Sequence, residues 1–252
     1  MVWQKLQYKY ERIAYRIVQK HVKTILESIP TNNATINTYQ YLIEGNISDE
    51  QIKKMFIEIY RTIGFDYGNR IKKTLEKTRK DNILFNDELL KQILLFLSNE
   101  GGIKITSVRS TLVGDIVQQI QMALEKQGTV IDLQNAIYSV IGNPAKFYKW
   151  QALRIARTET TSASNFAAWE SAKDSDYYLM KEWIAASDNR TRHDHAIENG
   201  QVVDFELPFK MADGSKMDYP GDITAKASQI INCRCTIAFK GKRDAEGMLI
   251  FK

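Results

Sequence analysis

Through roughly the first 175 residues apolar side chains recur at spacings of three and four, and beyond them the spacing changes. Trp3, Leu6, Tyr10, Ile13, Ile17 and Ile25 form one stripe, which predicts a helix over 2–28 with a single face turned to a partner. Pro30-Thr31-Asn32-Asn33 stops it. A short helix over 35–44 follows, broken by Gly45-Asn46. Ser48-Asp49-Glu50-Gln51 reads as a capping box, with Ser48 as N-cap and Gln51 at the third helical position. The helix it opens carries Ile52, Met55, Phe56, Ile59 and Ile63, passes Gly64, and continues through Tyr67 and Ile71 to about residue 77. Asn86 or Asp87 starts the next, with Leu89, Leu90, Ile93, Leu94 and Leu97 on one side, ending before Gly101-Gly102.

Val108, Leu112, Ile116, Ile120 and Leu124 step by four and predict a helix over 107–126. Thr129 or Asp132 caps a shorter one through Val140, closed by Gly142-Asn143-Pro144. A long helix then spans 145–173 and contains Arg157-Thr158-Glu159-Thr160-Thr161. Threonine-rich turns weaken a helix, so those hydroxyls and Glu159 are expected to be held by a neighbouring element.

After Asp176 the pattern alternates. Residues 177–186, Val202-Val203 with Phe205, and 233–239 read as short antiparallel strands among Gly-, Pro- and Asp-bearing loops. The fold class expected is α+β, a mostly helical N-terminal region followed by a small mixed α/β C-terminal module with a short antiparallel sheet. The divisions fall at 1–105 and 106–175, both helical, at 176–240 for the compact module, and at 241–252 for a tail.

Composition adds that 252 residues with 44% hydrophobic content can build a core. No apolar run approaches the roughly 18 residues that cross a bilayer, and the first residues lack a signal peptide's apolar centre. A soluble chain that is not secreted is expected. Two cysteines two positions apart make a poor disulfide framework, which favours a reducing compartment. Residues 1–150 hold 21 Lys and Arg against 15 Asp and Glu, a net of +6, while the remaining 14 against 15 leave −1. A basic N-terminal half suits an acidic surface or nucleic acid; interleaved Lys and Glu on solvated helix faces is the plainer account.

The chemically capable residues gather between Lys181 and Cys235. If Asp188 caps a helix beginning at Asn189, then Thr191, Arg192 and His195 share one face, and His193 points roughly 200° away. In a strand, Cys233 and Cys235 lie on one face with Asn232 and Arg234 on the other. Two thiolates and the His195 imidazole make three quarters of a tetrahedral zinc site, with Asp188, Asp222 or water as the fourth ligand. The plainer account is two small buried cysteines, with Asp188, Arg190 and Arg192 fixing a turn by capping and ion pairs.

Catalytic templates fit poorly. His195-Ala196-Ile197-Glu198 and Cys-x-Cys miss the zinc-deaminase spacings, and no Gly-x-Ser-x-Gly, phosphate loop or His-Glu-x-x-His is present. A nucleophile pair of Cys233 or Cys235 with His195 stays open, but no enzyme is expected.

The order Arg154-x-x-Arg157-Thr158-Glu159, Lys181-x-Trp183, Asp188-x-Arg190-Thr191-Arg192-x-x-His195, Gly200, Pro220-Gly221-Asp222 and Asn232-Cys233-Arg234-Cys235 resembles the signature of the phage Mu protein F-like minor head, or head morphogenesis, proteins. The resemblance spans about 110–238 and leaves 1–105 unmatched. It implies a structural protein of a tailed double-stranded DNA phage, in few copies in the virion head interior or portal region and in the host cytoplasm during assembly. Implied partners are the portal protein or the major capsid protein, with roles in assembly and DNA packaging or delivery and with packaged DNA meeting the basic half. It also implies metal binding at His195, Cys233 and Cys235. A phage-packaged metal- or cysteine-dependent nuclease or toxin, and a plain DNA-binding accessory protein, are the alternatives.

Overall fold

The computed structural model describes residues 2–28, 36–75, 83–99, 101–124 and 149–252. Expected stops at Pro30–Asn33 and at Gly142–Pro144, and the helix expected from Thr129 or Asp132 through Val140, lie outside these residues. Helix α1 (Val2–Glu27) buries Tyr10, Ala14, Ile17, Val18, Val22, Ile25 and Leu26, as its stripe requires. Helix α2 (Ile36–Asn46) precedes α3 (Asp49–Ile59), which opens on the expected capping box: Ser48 N donates to Gln51 Oε1 at 2.8 Å and Gln51 N to Ser48 Oγ at 3.3 Å.

The rod continues past Gly64, but through a π-helical turn (Tyr60–Gly64) into α4 (Phe65–Leu75). Gly68 explains part of that path: a Cβ there would stand 2.9 Å from Ser171 Oγ and 3.3 Å from the Ala167 carbonyl. The rod can therefore approach helix α7 (Lys149–Lys173), whose facing residues Ala163 and Ala167 are small and buried. Helix α5 (Ile83–Asn99) begins three residues ahead of Asn86. Helix α6 (Gly101–Leu124) begins at Gly101, not Ser107. Gly101-Gly102 lie at the start of a helix here instead of past the end of one, since glycine's conformational freedom is costly in a helix interior but tolerated at either end. Gly101 is also buried against Leu97, where a Cβ would meet a side-chain carbon at 3.3 Å.

Beyond α7 the chain forms β1 (Leu179–Ile184), α8 (His193–Ile197), β2 (Val202–Asp204), a hairpin of β3 (Phe209–Lys210) and β4 (Lys216–Met217), α9 (Ala227–Ile230) and β5 (Thr236–Gly241). The expected antiparallel sheet is present, with order β2-β1-β5 and Trp183 opposite Ile237. Alternation along β1 sends Leu179, Lys181 and Trp183 inward. Lys181 is fully buried, its ammonium donating to the Asp218 carbonyl at 2.9 Å with the rings of Phe205 and Phe209 at 5.8 and 5.3 Å. Burial holds its pKa below the usual lysine range, partly offset by Asp218.

One buried cluster joins helices and sheet, running from Tyr10 through Phe56 and Phe166 to Trp183 and Ile237. Polar links reinforce it: Trp3 Nε1 donates to the Arg234 carbonyl at 3.0 Å, Gln4 Nε2 to the Ala186 carbonyl at 3.2 Å, and the Tyr67 hydroxyl meets Thr236 Oγ1 at 3.2 Å. The chain end folds back, with Tyr177 bridging Phe251 and Lys252 N donating to the Asp176 carbonyl at 3.0 Å.

Candidate metal centre

The polar face of α7 holds the loops that carry the cysteines. Thr161 Oγ1 donates to the Cys233 carbonyl at 2.5 Å, and Ser162 Oγ to the Gly221 carbonyl at 2.8 Å. Asn165 spans two segments, giving Nδ2 to the Pro220 carbonyl at 2.9 Å and the Cys235 carbonyl at 3.0 Å while Oδ1 accepts from Ile237 N at 3.2 Å. Of the threonine-rich turn, Thr158 and Thr161 are held by a neighbouring element, as expected, whereas Thr160 Oγ1 is buried with no hydrogen-bond partner among the described residues. Asn232 sits at φ 57, a left-handed conformation asparagine tolerates, and its amide donates to Thr158 Oγ1 at 3.0 Å while its side-chain oxygen accepts from Arg157 Nη1 at 3.3 Å. Arg157 also reaches Glu11 Oε2 at 3.4 Å, tying the Arg-Thr-Glu motif to α1.

That scaffold brings His195, Cys233 and Cys235 together. All three are buried, and their ligand atoms lie within 4.8 Å of one another. His195 Nδ1 is 3.6 Å from Cys233 Sγ and 3.4 Å from Cys235 Sγ. Tetrahedral zinc with bonds of about 2.3 Å to sulfur and about 2.0–2.1 Å to nitrogen sets S···N edges of about 3.6 Å, so both S···N distances suit three of the four corners of a zinc site. The cysteines sit just ahead of β5 instead of within it, yet both face the imidazole.

The other ring nitrogen is fixed from outside. His195 Nε2 meets Gln229 Oε1 at 2.7 Å, and Gln229 Nε2 donates to Asp194 Oδ2 at 2.6 Å. Asp194 thereby sets the amide's orientation and presents the amide oxygen as an acceptor for an Nε2 proton, so that with a metal bound Nδ1 would turn its lone pair toward the sulfurs. The edge of Trp183 packs on the imidazole at 5.3 Å between centroids.

The two thiols share a proton unequally. The hydrogen bond from Cys233 lowers the pKa of Cys235, with His195 helping against burial. The same bond, and burial, push Cys233 up. Burial would lower His195, but Cys235, then Gln229 and Asp194, leave it raised.

Asp188 does not join the trio, contrary to its expected place among the ligands. Its carboxylate binds the Arg234 guanidinium in a two-pronged pair, Oδ2 with Nη1 and Oδ1 with Nη2 at 2.7 Å, and accepts from Arg190 N at 2.9 Å. Nor does it cap a helix at Asn189. Residues 188–191 form a turn closed by Thr191 N to the Asp188 carbonyl at 3.0 Å, and α8 starts only at His193 with Arg192 as its N-cap residue. An Asp side chain bonding its own backbone two residues on competes with helix initiation, which moved the start. Asp222 is also occupied, accepting from Asp218 N at 2.8 Å and Thr224 N at 3.0 Å. No fourth His, Cys, Asp or Glu joins the trio among the described residues.

The remaining motif residues shape the surroundings. Gly200, at φ 83, donates its amide to the Trp183 carbonyl at 2.8 Å. Arg192 Nη2 donates to the Ile231 carbonyl, Arg190 is exposed with Asp188 at 3.9 Å, and His193 is exposed outside the trio. Glu159 lies elsewhere, buried against Lys104 Nζ at 2.9 Å.

The model of the phage Mu protein F like protein family matches residues 103–238, more than half of the chain. The chain belongs to the phage Mu protein F-like family. The matched span runs from α6 through all but the last residues of β5 and contains the trio, the Asp188–Arg234 pair and the α7 face that holds them. This Mu F-like membership points to a phage head morphogenesis protein, hence to the virion head and to capsid or portal proteins as partners. No curated protein and no solved structure matches the chain. Among the described residues no helix is long and apolar enough to cross a membrane.

Several of these residues escaped the sequence. Gln229 and Asp194 carried no signal, since their roles depend on a contact made across 34 residues. Asn165 and Ser162 could have been found: small polar residues on the buried side of a helix must bond something, and here they bond the loops of the Mu F-like motif.

Proposed function

We propose that this chain is a minor structural component of a tailed-phage head, contacting the portal or the major capsid protein and aiding assembly or DNA packaging and delivery without catalysing a reaction. The observation that carries this reading is how the signature residues are used. Arg157, Thr158, Asp188, Asn232 and Arg234 bind one another or one another's backbone, and with Glu11 serve as a lock between α1, α7 and the sheet. His195, Cys233 and Cys235 are 1–2% exposed, which suits a clamp better than attack on a substrate. In that clamp a structural zinc would be held by His195 Nδ1 and the two sulfurs, cross-linking α8 to the segment entering β5.

A second contact, with packaged DNA, is favoured by the surface of α1. Lys5, Lys9, Arg12, Arg16, Lys20 and Lys23 are all exposed and fall within about 80° of helical rotation over about 27 Å. Lys9, Lys20 and Lys23 have carboxylate partners in Asp66, Glu58 and Glu27, whereas Lys5, Arg12 and Arg16 have no ion-pair partner among the described residues. Such a stripe follows a phosphate backbone without reading sequence.

The test is pull-down of purified portal protein and purified major capsid protein, separately, by the full chain. Binding to one of them supports the reading; a nuclease or transferase activity lost in His195→Ala, with no binding to either, replaces it with the enzyme alternative.

A further inference from the structure

A cavity of about 640 Å³ lies between α6, α7 and the loop around α9, and none of His195, Cys233 and Cys235 lines it. Val108 and Leu112 from α6, Ile155 from α7, and Ile223 and Ile230 from the loop give it an aliphatic surface, interrupted by polar residues such as Ser107, Thr111, Thr158 and Thr224. At this volume a pocket has the size that takes a ligand or an inserted side-chain cluster. Lys104 and Glu159 are among its charged lining residues.

Glu159 is the unusual member. Its side chain is 1% exposed, and Oε1 pairs with Lys104 Nζ at 2.9 Å. Lys104 also donates to Ser162 Oγ at 3.2 Å. Oε2 is buried and has no hydrogen-bond partner among the described residues. An unmet acceptor on a buried carboxylate is costly, so buried polar atoms of this kind are nearly always satisfied by something. Burial raises the pKa of Glu159 in spite of Lys104, in keeping with an under-solvated carboxylate.

The lining also states what the guest must be. Two cations, Lys104 and Arg154, face two carboxylates, Asp115 and Glu159, so a charged guest would be left uncompensated. No aromatic ring lines the cavity, which removes the stacking surface that a nucleobase uses. We propose that the cavity is the docking site for an uncharged aliphatic segment of a head partner protein, which donates one hydrogen bond from a backbone amide or a Ser, Thr or Asn side chain to Glu159 Oε2. This rests on the reading of the chain as a head component. Balanced charge and an unmet acceptor among the cavity's lining residues make the segment's chemistry specific. Docking by a neutral apolar anchor is also the usual source of affinity at such interfaces.

The experiment titrates the full chain with purified portal protein and with purified major capsid protein of the same phage. Thr111→Trp and Ala227→Trp are compared with the parent; both residues line the cavity, one half-buried and one exposed, so each ring fills it without crowding the core. Thermal melts establish that the variants are folded. The expected result is that both variants weaken binding to one partner by about tenfold or more while melting like the parent. Equal binding of that partner by parent and variants overturns the docking site and leaves the head assignment standing. If neither partner binds the parent, both readings are overturned. A change in the chain's own oligomeric state in the variants, with partner binding intact, assigns the cavity to a second copy and also overturns the proposal.

Discussion

The Asp188 carboxylate grips the Arg234 guanidinium with both oxygens, joining the turn after β1 to the residue between the two cysteines. Arg234 is 11% exposed and Asp188 35% exposed, so the pair is half-screened by water. Asp188→Asn is expected to cost about 1 kcal/mol, the upper end of what a partly exposed pair contributes. Arg234 holds the Asp188 pKa well below the usual carboxylate range. A depressed pKa stabilises the fold above the unfolded value of about 3.9 and loses that contribution as the pH falls through it. Urea titrations of parent and variant should therefore differ most near neutrality, with a difference that starts to shrink at about pH 4 and closes only as the pH falls through the folded pKa of Asp188; a difference that grows in acid would contradict the pairing.

What was legible in the sequence was whatever is decided locally. Ser48 and Gln51 settle α3 within four residues, and the α1 stripe needs only its own periodicity. The fold class, the three strands and the meeting of His195 with both cysteines followed from spacing. Asp188 misled because the same carboxylate that caps helices also closes turns, and which one wins depends on Arg234, 46 residues on. Lys104 and Glu159, or His195 and Gln229, are pairings set by how α6 and α9 pack, and nothing in either residue's neighbourhood announces them. Gly101-Gly102 suggests a stop in the sequence because glycine serves both ends of helices.

Two glycines with the same left-handed backbone should respond differently to alanine. Gly221 is at φ 85, and a Cβ there would stand 3.0 Å from Ser162 N and 3.1 Å from Ser162 Oγ. Gly200 is at φ 83 with nothing within 4 Å. Gly200→Ala is expected to cost about 1 kcal/mol from the backbone alone, and Gly221→Ala about 2–3 kcal/mol because contact with α7 is added. Denaturant midpoints check this, and equal costs would mean that the loop moves freely off α7.

Zinc content decides the role of the trio. Protein purified under reducing conditions is expected to carry about one equivalent by elemental analysis, and His195→Ala or Cys235→Ser to carry much less while keeping the helical signal. Metal-free parent protein with unchanged thermal stability would leave the three residues as packing.

Replacing Lys5, Arg12 and Arg16 together by Ala should leave the fold intact, since all three are exposed on α1. Gel-shift titrations with duplex DNA across salt concentrations are expected to show affinity falling with salt, with the log–log slope shallower by about three in the variant. An unchanged slope, or no binding by the parent, removes DNA from the account.

The central claim is that this Mu F-like chain is built into the head. Quantitative mass spectrometry of purified, cross-linked particles and their head precursors addresses it most directly. The expected result is a few copies per particle, cross-linked to portal or major capsid protein. Absence of the chain from both particles and precursors would contradict the account.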